Sequence, residues 1–141
     1  MQRFLFLTLG VLFFTQLVCG QQEKILKSAH DSLVYYSGRV DTGSPQFVRY
    51  DWPGVGVHFC FTGRKAGIKI KGGERNYFNL IVNGHFLEVV HAPGDTIFWI
   101  DKLRGSGPHE VSLIKRTEGD MGQVFFYGLL LESNGRLLPY P

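Results

Sequence analysis

Few side chains in this 141-residue chain have the types and spacing that metal binding or catalysis requires. His58 and Cys60 alternate along one predicted strand, and an imidazole and a thiolate on the same face are ligands that zinc accepts. A third and a fourth ligand cannot be named, since the five histidines are dispersed along the chain. We interpret His58 as a partly buried polar residue and Cys60 as a buried thiol, and we expect neither a metal nor another cofactor.

Hydrolysis would require a nucleophilic side chain with a base within hydrogen-bond reach. The nearest approach to a Gly-Asp-Ser nucleophile block is Gly94-Asp95-Thr96, but Pro93-Gly94-Asp95 is more typical of a turn before a strand. Ser106 also fails, because Leu103-Arg104-Gly105-Ser106-Gly107 lacks the first glycine of a Gly-x-Ser-x-Gly elbow. We therefore predict that this chain alone contains no catalytic residue and is not an enzyme.

Sugar binding is the chemistry that the remaining side chains permit, because aromatic faces stack on pyranose rings while polar groups bind the hydroxyls. Trp52, in Tyr50-Asp51-Trp52-Pro53-Gly54, is either an aromatic that seals a strand entry or an exposed stacking platform. Trp99 is expected in the core, since its neighbours on both sides are apolar. Six residues are candidates for contact with a glycan or with a neighbouring domain: Arg39, Trp52, Asn76, Tyr77, Arg116 and Glu118.

The N-terminus has the pattern of a secretory signal peptide. Met1-Gln2-Arg3 is cationic, Phe4–Val18 is an almost uninterrupted apolar run, and Val18-Cys19-Gly20 supplies the small residues of a cleavage site. The run is shorter than the roughly 20 apolar residues that a membrane span needs, and no stop-transfer pattern follows. We predict a signal peptide over residues 1–20, a secreted product and no membrane contact after cleavage; a lipid anchor at Cys19 is the alternative.

The charge and the cysteine content exclude one class of partner and one kind of cross-link. The chain has 15 basic and 12 acidic residues, and loss of residues 1–20 removes Arg3, which leaves 14 basic against 12 acidic groups. These basic residues are scattered among Asp and Glu, whereas a polyanion-binding domain shows a basic stripe. Nucleic acid is therefore not an expected partner. The same cleavage leaves Cys60 alone, so no intrachain disulfide can form.

The elements that position these residues are predicted to be short β-strands. The chain has 18 glycines, 16 of them after residue 20, and runs of Val, Ile, Phe, Tyr and Leu recur between turn signals. This pattern predicts an all-β jelly-roll β-sandwich of about eight to ten short antiparallel strands. Residues 23–34 are compatible with one or two helical turns or with a solvated leader, so residues 21–32 are assigned to a leader and residues 33–141 to the sandwich.

Alternation and turn signals identify individual strands. Val55–Phe61 places Val and Phe side chains on one face at a period of two residues. Asn83-Gly84 favours a type I′ turn and predicts a hairpin, and Asn134-Gly135 is a second hairpin signal. Asp95–Ile100 contains four consecutive apolar residues, which predicts a central strand with both faces covered.

Four motifs in order along the chain resemble one family. They are Tyr36-Ser37-Gly38-Arg39-Val40-Asp41, Tyr50-Asp51-Trp52-Pro53-Gly54, Asn76-Tyr77-Phe78-Asn79-Leu80-Ile81-Val82-Asn83-Gly84 and Lys115-Arg116-Thr117-Glu118. The last block, followed by Phe126-Tyr127-Gly128, is the most specific. From about Leu33 to Pro139 the chain resembles the N-terminal jelly-roll domain of carbohydrate esterase family 2, a galactose-binding-like sandwich.

The resemblance implies a partner as well as a fold. In that family the jelly roll precedes an SGNH-type hydrolase domain that removes acetyl groups from plant polysaccharides such as xylan and glucomannan. The nucleophilic serine of that domain, in a Gly-Asp-Ser block, has no counterpart here, so no catalytic role is carried over. An acetylated plant-type polysaccharide or an SGNH hydrolase domain is the expected partner.

Three functions remain open. The first is a secreted, non-catalytic accessory module that contacts carbohydrate. The second is the N-terminal part of a truncated or incomplete carbohydrate acetyl-esterase, and the third is a protein-interaction module without a sugar ligand. For the segment from Arg116 to Glu118 there are two interpretations: it organises the surface that faces a hydrolase domain, or it forms a local salt bridge within the sandwich.

Overall fold

The computed structural model describes residues 24–141, which form two antiparallel β-sheets. The strands, in chain order, are β1 (Lys24–Ser28), β2 (Tyr35–Ser37), β3 (Val48–Tyr50), β4 (Gly56–Thr62), β5 (Ala66–Lys71), β6 (Tyr77–Val82), β7 (His85–His91), β8 (Asp95–Ile100), β9 (His109–Lys115), β10 (Val124–Glu132) and β11 (Arg136–Leu138). Among these residues the helical structure is limited to a 3-10 turn at Gly119–Met121, so none of their helices could span a bilayer. The predicted signal peptide, residues 1–20, lies outside the described residues.

The two sheets have different strand orders. Sheet A runs β1–β10–β5–β8, with β3 also paired to β10, and sheet B runs β11–β4–β9–β6–β7, with β2 also paired to β4. The predicted all-β sandwich of antiparallel strands is confirmed, with eleven strands in place of the eight to ten expected. Strands β2 and β3 have three residues each, which is too few to show an alternating pattern in the sequence.

The core lies between the sheets and is built from the inward positions of alternating strands. In β5, for example, Ile68 and Ile70 are buried while Lys69 and Lys71 are exposed, as the alternation predicted. Removal of such side chains from water is the main term that stabilises a sandwich with no disulfide among its described residues. The largest buried apolar side chains are Phe59, Phe61, Phe78, Phe126, Ile68, Ile70, Leu80, Ile100, Leu113, Leu129 and Leu131.

The segment assigned to a leader supplies a strand. Lys24–Ser28 forms β1 and pairs with β10 in register from Lys24–Glu132 to Ser28–Gly128, so the sandwich begins before residue 33. Gly128 permits this close pairing, since its φ is +140° and a Cβ there would collide with the carbonyl oxygen of Lys27. A five-residue strand with exposed Ile25 and Leu26 shows no helical or alternating signature, which is why the sequence left it ambiguous.

Strand β8 corrects another expectation. It lies at the edge of sheet A rather than in its centre, and Ile97 is 43% exposed. Trp99 is half-buried on the outer face of the sheet, where it covers Gly67, so it is not a core residue. The four consecutive apolar residues of β8 do not indicate that both of its faces are covered by other elements. Ile97 and Trp99 instead pack across the outer face of sheet A, next to Gly67.

The two Asn-Gly signals have different outcomes. Asn83 and Gly84 both have positive φ, at 51° and 76°, and connect β6 to β7 as the predicted hairpin. Asn134-Gly135 also forms a tight turn, but β10 belongs to sheet A while β11 pairs with β4 in sheet B. The second hairpin prediction is wrong, because a turn signal specifies the local reversal and not the strand that the returning chain will join.

Candidate functional site

A polar cleft of about 220 Å³ lies beside the end of β3. We call it the Arg39–Trp52 cleft, after the two predicted site residues that the fold brings together there. Trp52 is 59% exposed, so of its two interpretations the structure supports the open aromatic platform. The lining residues are Arg39, Val40, Asp41, Arg49, Tyr50, Asp51, Trp52 and Gln123.

Two backbone features hold the cleft in shape. Asp41 and Arg49 form an isolated antiparallel bridge, in which each N–H donates to the other residue's carbonyl oxygen at 2.8 and 2.9 Å. The loop that carries Trp52 is tied at its far end, where the Gly54 N–H donates to the Lys115 carbonyl at 2.8 Å. Gly54 has a φ of +80°, which a side-chain-bearing residue rarely adopts.

The side chains of the bridge are also paired. The Arg49 guanidinium donates to the Asp41 carboxylate in an ion pair, and the Gly43 N–H donates to the other oxygen of that carboxylate at 2.9 Å. The Gly43 hydrogen bond and then Arg49 lower the pKa of Asp41. Asp41 therefore stays anionic and in a fixed orientation at neutral pH.

The cleft combines opposite charges that balance. Arg39 and Arg49 are set against Asp41 and Asp51, and Gln123 adds an amide that both donates and accepts hydrogen bonds. Such a surface offers planar hydrogen-bonding groups without a net charge, next to an apolar ring. This combination suits a neutral ligand with many hydroxyl groups, such as a sugar.

Asn76 is not part of the cleft but is buried beneath the neighbouring loops. Its side chain has no exposure, and its Nδ2 donates to the carbonyl oxygens of Gly72, at 2.6 Å, and Gly122, at 3.0 Å. Its Oδ1 accepts from the Thr117 hydroxyl at 2.7 Å. Asn76 thus joins the connection between β5 and β6 to the connection between β9 and β10, which are distant in the sequence.

Lys115 completes this polar network. It is 1% exposed, and its Nζ donates to the carbonyl oxygens of Thr117, at 2.5 Å, and Glu118, at 2.9 Å. Burial lowers the pKa of Lys115, and the nearby carboxylates of Asp51, Glu118 and Asp120 partly offset that effect. We call Asn76, Thr117 and Lys115 the Asn76 network.

Tyr77 and Arg116 lie on the outer face of sheet B. The Tyr77 ring stacks on His91 with centroids 4.5 Å apart, and the Arg116 Nη1 donates to the Asn79 Oδ1 at 3.3 Å. Within the described residues Arg116 and Glu118 form no ion pair, so the local salt bridge between them is not present. Glu118 instead contributes its backbone carbonyl to Lys115.

His58 sits in a cluster of hydroxyl groups that the sequence did not indicate. Its Nε2 lies 2.7 Å from the Ser37 Oγ and its Nδ1 lies 2.7 Å from the Ser112 Oγ, while Ser112 in turn contacts the Tyr140 hydroxyl at 3.1 Å. The Tyr35 and Tyr140 rings stack with centroids 6.3 Å apart and flank the imidazole. Burial lowers the pKa of His58.

This cluster ties strand β4 to the C-terminal segment. Both ring nitrogens of His58 are occupied by hydroxyls, which is the arrangement of a buried polar residue rather than of a metal ligand. Cys60, two residues further along β4, is buried as predicted, and burial raises the pKa of its thiol. No group of three or more His, Cys, Asp or Glu side chains within residues 24–141 could hold a metal ion.

Comparison with known proteins identifies the fold and its family. The family model described as carbohydrate esterase 2 N-terminal matches residues 36–141. The chain belongs to this family. The resemblance that the motifs indicated is therefore confirmed.

Relatives of the chain are carbohydrate esterases. Cellulase/esterase CelE of Acetivibrio thermocellus is 36% identical over 110 residues, which are 77% of this chain and 13% of CelE. A family two carbohydrate esterase from Clostridium thermocellum, solved in complex with cellohexaose, is 33% identical with a TM-score of 0.65 over 77% of this chain and 33% of that one. The chain thus spans a third or less of the length of these relatives.

A solved carbohydrate-binding protein shares the fold. A family 35 carbohydrate binding module from an environmental isolate matches 83% of this chain and 99% of its own length, with a TM-score of 0.63 and 15% identity. At that identity the likeness shows the fold alone. The family domain and this whole module therefore have the same sandwich architecture.

Proposed function

We propose that this domain is a secreted, non-catalytic module that contacts an acetylated, neutral plant-type polysaccharide through the Arg39–Trp52 cleft. The observation that carries the proposal is the exposed ring of Trp52 beside paired charges and an amide. An indole face contributes to binding by stacking on the apolar face of a pyranose ring, while Arg, Asp and Gln groups bind its hydroxyls.

The relatives support a sugar as the ligand class. One of them was solved with cellohexaose, and the family 35 module shares the sandwich fold. The cleft has room for one or two sugar units rather than a long chain, given its volume of about 220 Å³. We therefore expect weak binding that gains strength from avidity or from a linked domain.

The first experiment is affinity gel electrophoresis of the purified chain in gels with and without acetylated xylan or acetylated glucomannan. Trp52→Ala should abolish the retardation, because it removes the stacking surface. Phe86→Ala is the matched control, since Phe86 is 61% exposed on β7 in the other sheet. Equal retardation of Trp52→Ala and the unmodified chain would refute the cleft as the binding site. If no glycan retards the chain, sugar binding is excluded and the protein-interaction module is the function that remains.

A second candidate function is contact with an SGNH hydrolase domain. The outer face of sheet B supports it, because Tyr77 and Arg116 share that face with two exposed apolar side chains, Val89 opposite Asn79 and Phe86 opposite Ile81. Arg116→Ala should weaken association with such a domain, whereas Arg136→Ala, on the far side of the same sheet, should not. Unchanged association of Arg116→Ala would exclude this version. The purified chain alone is expected not to hydrolyse a generic acetyl ester.

A further inference from the structure

Four lysines that are distant in sequence share the outer face of sheet A. Lys69 and Lys71 alternate along β5 with the buried Ile70, so their side chains point away from the core. Lys24 reaches the same face from β1, and Lys65 immediately precedes β5. The basic residues appear scattered in the sequence, but the strand order collects these four on one surface.

Aromatic rings hold three of these ammonium groups in place. The Lys24 Nζ lies 4.5 Å and the Lys65 Nζ 5.9 Å from the centroid of the Trp99 ring, and the Lys69 Nζ lies 5.7 Å from the Tyr127 centroid. A lysine side chain whose ammonium group is held over a ring has less freedom than an ordinary surface lysine. Less side-chain entropy is therefore lost when an anion binds it.

The position of Trp99 depends on a glycine. Trp99 lies opposite Gly67 across the β5–β8 pair, and a Cβ at Gly67 would approach two atoms of the indole ring to 2.9 Å. The ring can therefore pack onto the strand only because residue 67 has no side chain. This packing presents the ring, with its two lysines, on the outer surface of the sheet.

A pocket of about 210 Å³ adjoins Lys69 on this face. It is lined mostly by carbon atoms, with Tyr127 and the 43%-exposed Ile97 among its lining residues. Three polar residues, Lys69, Asp95 and Thr96, also line it, so an ammonium group and a carboxylate both border the pocket. An apolar wall bordered by polar groups suits a sugar ring, and the charge of the surrounding face then determines whether a neutral sugar or one with a carboxylate is favoured.

The charge of this face is positive. The described residues contain one ion pair, Arg49–Asp41, so none of the four ammonium groups has a carboxylate within 4.0 Å. Two carboxylates stand nearby in register, with Asp95 opposite Lys71 and Glu132 opposite Lys24. Four cations therefore face two anions. One of these anions, Asp95, lines the same pocket as Lys69, whose cross-strand neighbour is Ile97.

We propose that the outer face of sheet A binds a polysaccharide that carries carboxylates, a polyuronate. One sugar ring occupies the pocket against Tyr127 and Ile97, and its carboxylate and that of the next sugar bind Lys69 and Lys71. These two lysines are two residues apart on one strand, a separation of about 7 Å. The inference rests on the proposed function only in taking a carbohydrate as the ligand class, since this face is separate from the Arg39–Trp52 cleft.

A polyuronate fits this face better than a nucleic acid does. Duplex DNA presents one negative charge per about 1.7 Å and is bound by dense rows of Lys and Arg. Single strands stack their bases on open aromatic faces. Here Lys24 and Lys65 lie over Trp99 and Lys69 lies over Tyr127, so the rings serve to position ammonium groups.

The test is affinity electrophoresis and calorimetry of the full chain with polygalacturonate, and with the methyl-esterified polymer as a charge-free counterpart. Polygalacturonate should bind at least about tenfold more tightly than its ester, and Lys69→Gln/Lys71→Gln should weaken the Kd by about tenfold or more. The double variant Arg104→Gln/Arg136→Gln removes the same charge from exposed positions outside this face and should leave the Kd within about twofold.

Several results would overturn the proposal. They are no binding of polygalacturonate, equal binding of its methyl ester, or an equal loss in the arginine and lysine variants. Tighter binding of a single-stranded oligonucleotide than of polygalacturonate, lost in the lysine variant, would assign the face to nucleic acid instead. Neutral acetylated xylan should bind the lysine variant as it binds the unmodified chain, so failure at this face and failure at the cleft give different results.

Discussion

The Asn76 network and the Arg39–Trp52 cleft are built from the same kinds of polar side chain, yet the fold closes over one and leaves the other open. Asn76 is fully buried and uses all of its observed hydrogen bonds to join loops, whereas Trp52 is 59% exposed and meets solvent. A polar residue in a family motif can therefore hold loops together by hydrogen bonds instead of binding a ligand. Burial separates the two roles.

The largest effect is expected for Asn76→Ala. The substitution leaves the carbonyl oxygens of Gly72 and Gly122 and the Thr117 hydroxyl without their partner, so the free energy of unfolding should fall by about 2–4 kcal/mol. Urea unfolding measures it. Asn79→Ala is the control, because Asn79 is less buried and accepts one long hydrogen bond from Arg116. A loss no larger than that of the control would show that the buried hydrogen bonds of Asn76 do not stabilise the loops that they join.

A smaller loss is expected for Lys115→Met, which keeps most of the unbranched side chain, one heavy atom shorter, and removes the charge. Two carbonyl oxygens lose a donor, but the cost of burying an ammonium group disappears, so the net loss should be about 1 kcal/mol. Chemical unfolding of Lys115→Met and of Lys102→Met, at an exposed position, measures the difference. Greater stability of Lys115→Met than of the unmodified chain would show that the buried charge is a net cost.

His58, like Asn76, is a buried polar residue, but its side chain also titrates. Burial lowers the pKa of His58 below its usual value of 6.5, so the unfolded chain takes up a proton at a higher pH than the folded chain does. The contribution of His58 to stability is therefore complete above about pH 6.5 and is lost as the pH falls below that value. Thermal unfolding at about pH 7.5 and about pH 5 should show this loss.

His58→Gln should flatten that pH dependence, while His85→Gln, at an exposed position of β7, should leave the slope unchanged. An identical slope in His58→Gln and the unmodified chain would assign the pH dependence to other groups.

The smallest effect on stability is expected in the cleft. Trp52→Ala should change the free energy of unfolding by no more than about 0.5 kcal/mol, because the exposed ring buries little area, while glycan retardation is lost. Calorimetric unfolding and affinity electrophoresis of the same preparation measure both quantities. A loss of stability as large as that of Asn76→Ala would mean that Trp52 seals the loop, and the contrast between the two regions would disappear.

Part of the fold was predictable because its signals are local. The alternation in β4 and β5 assigned the core faces, and the positive φ of Asn83 and Gly84 is what an Asn-Gly dipeptide favours. The edge position of β8 and the pairing of β11 with β4 were predicted incorrectly. Both depend on which strand becomes the neighbour, and short-range patterns contain no information about that choice.

The candidate site shows the same division. Arg39 and Trp52 were named from residue type and meet in one cleft. Asp41 and Asp51 lie in the same two motifs but were not singled out, and Gln123 was missed because it comes from a distant loop before β10. Asn76 and Glu118 were named as possible contacts, but the network uses the Asn76 side chain and the Glu118 backbone to hold loops. An amide that will be buried has the same letter in the sequence as one that will be exposed.

The sequence by itself determined the fold class, the inward faces of the main strands, the turn between β6 and β7 and the family, because each depends on residues close together in the chain or on motifs in order. The tertiary structure alone decided which polar groups are open. It paired Asp41 with Arg49, buried Lys115 and collected Lys24, Lys65, Lys69 and Lys71 on one face. The physical reason is that exposure, charge balance and cation–π contacts depend on distances between strands, which are set only when two sheets pack together.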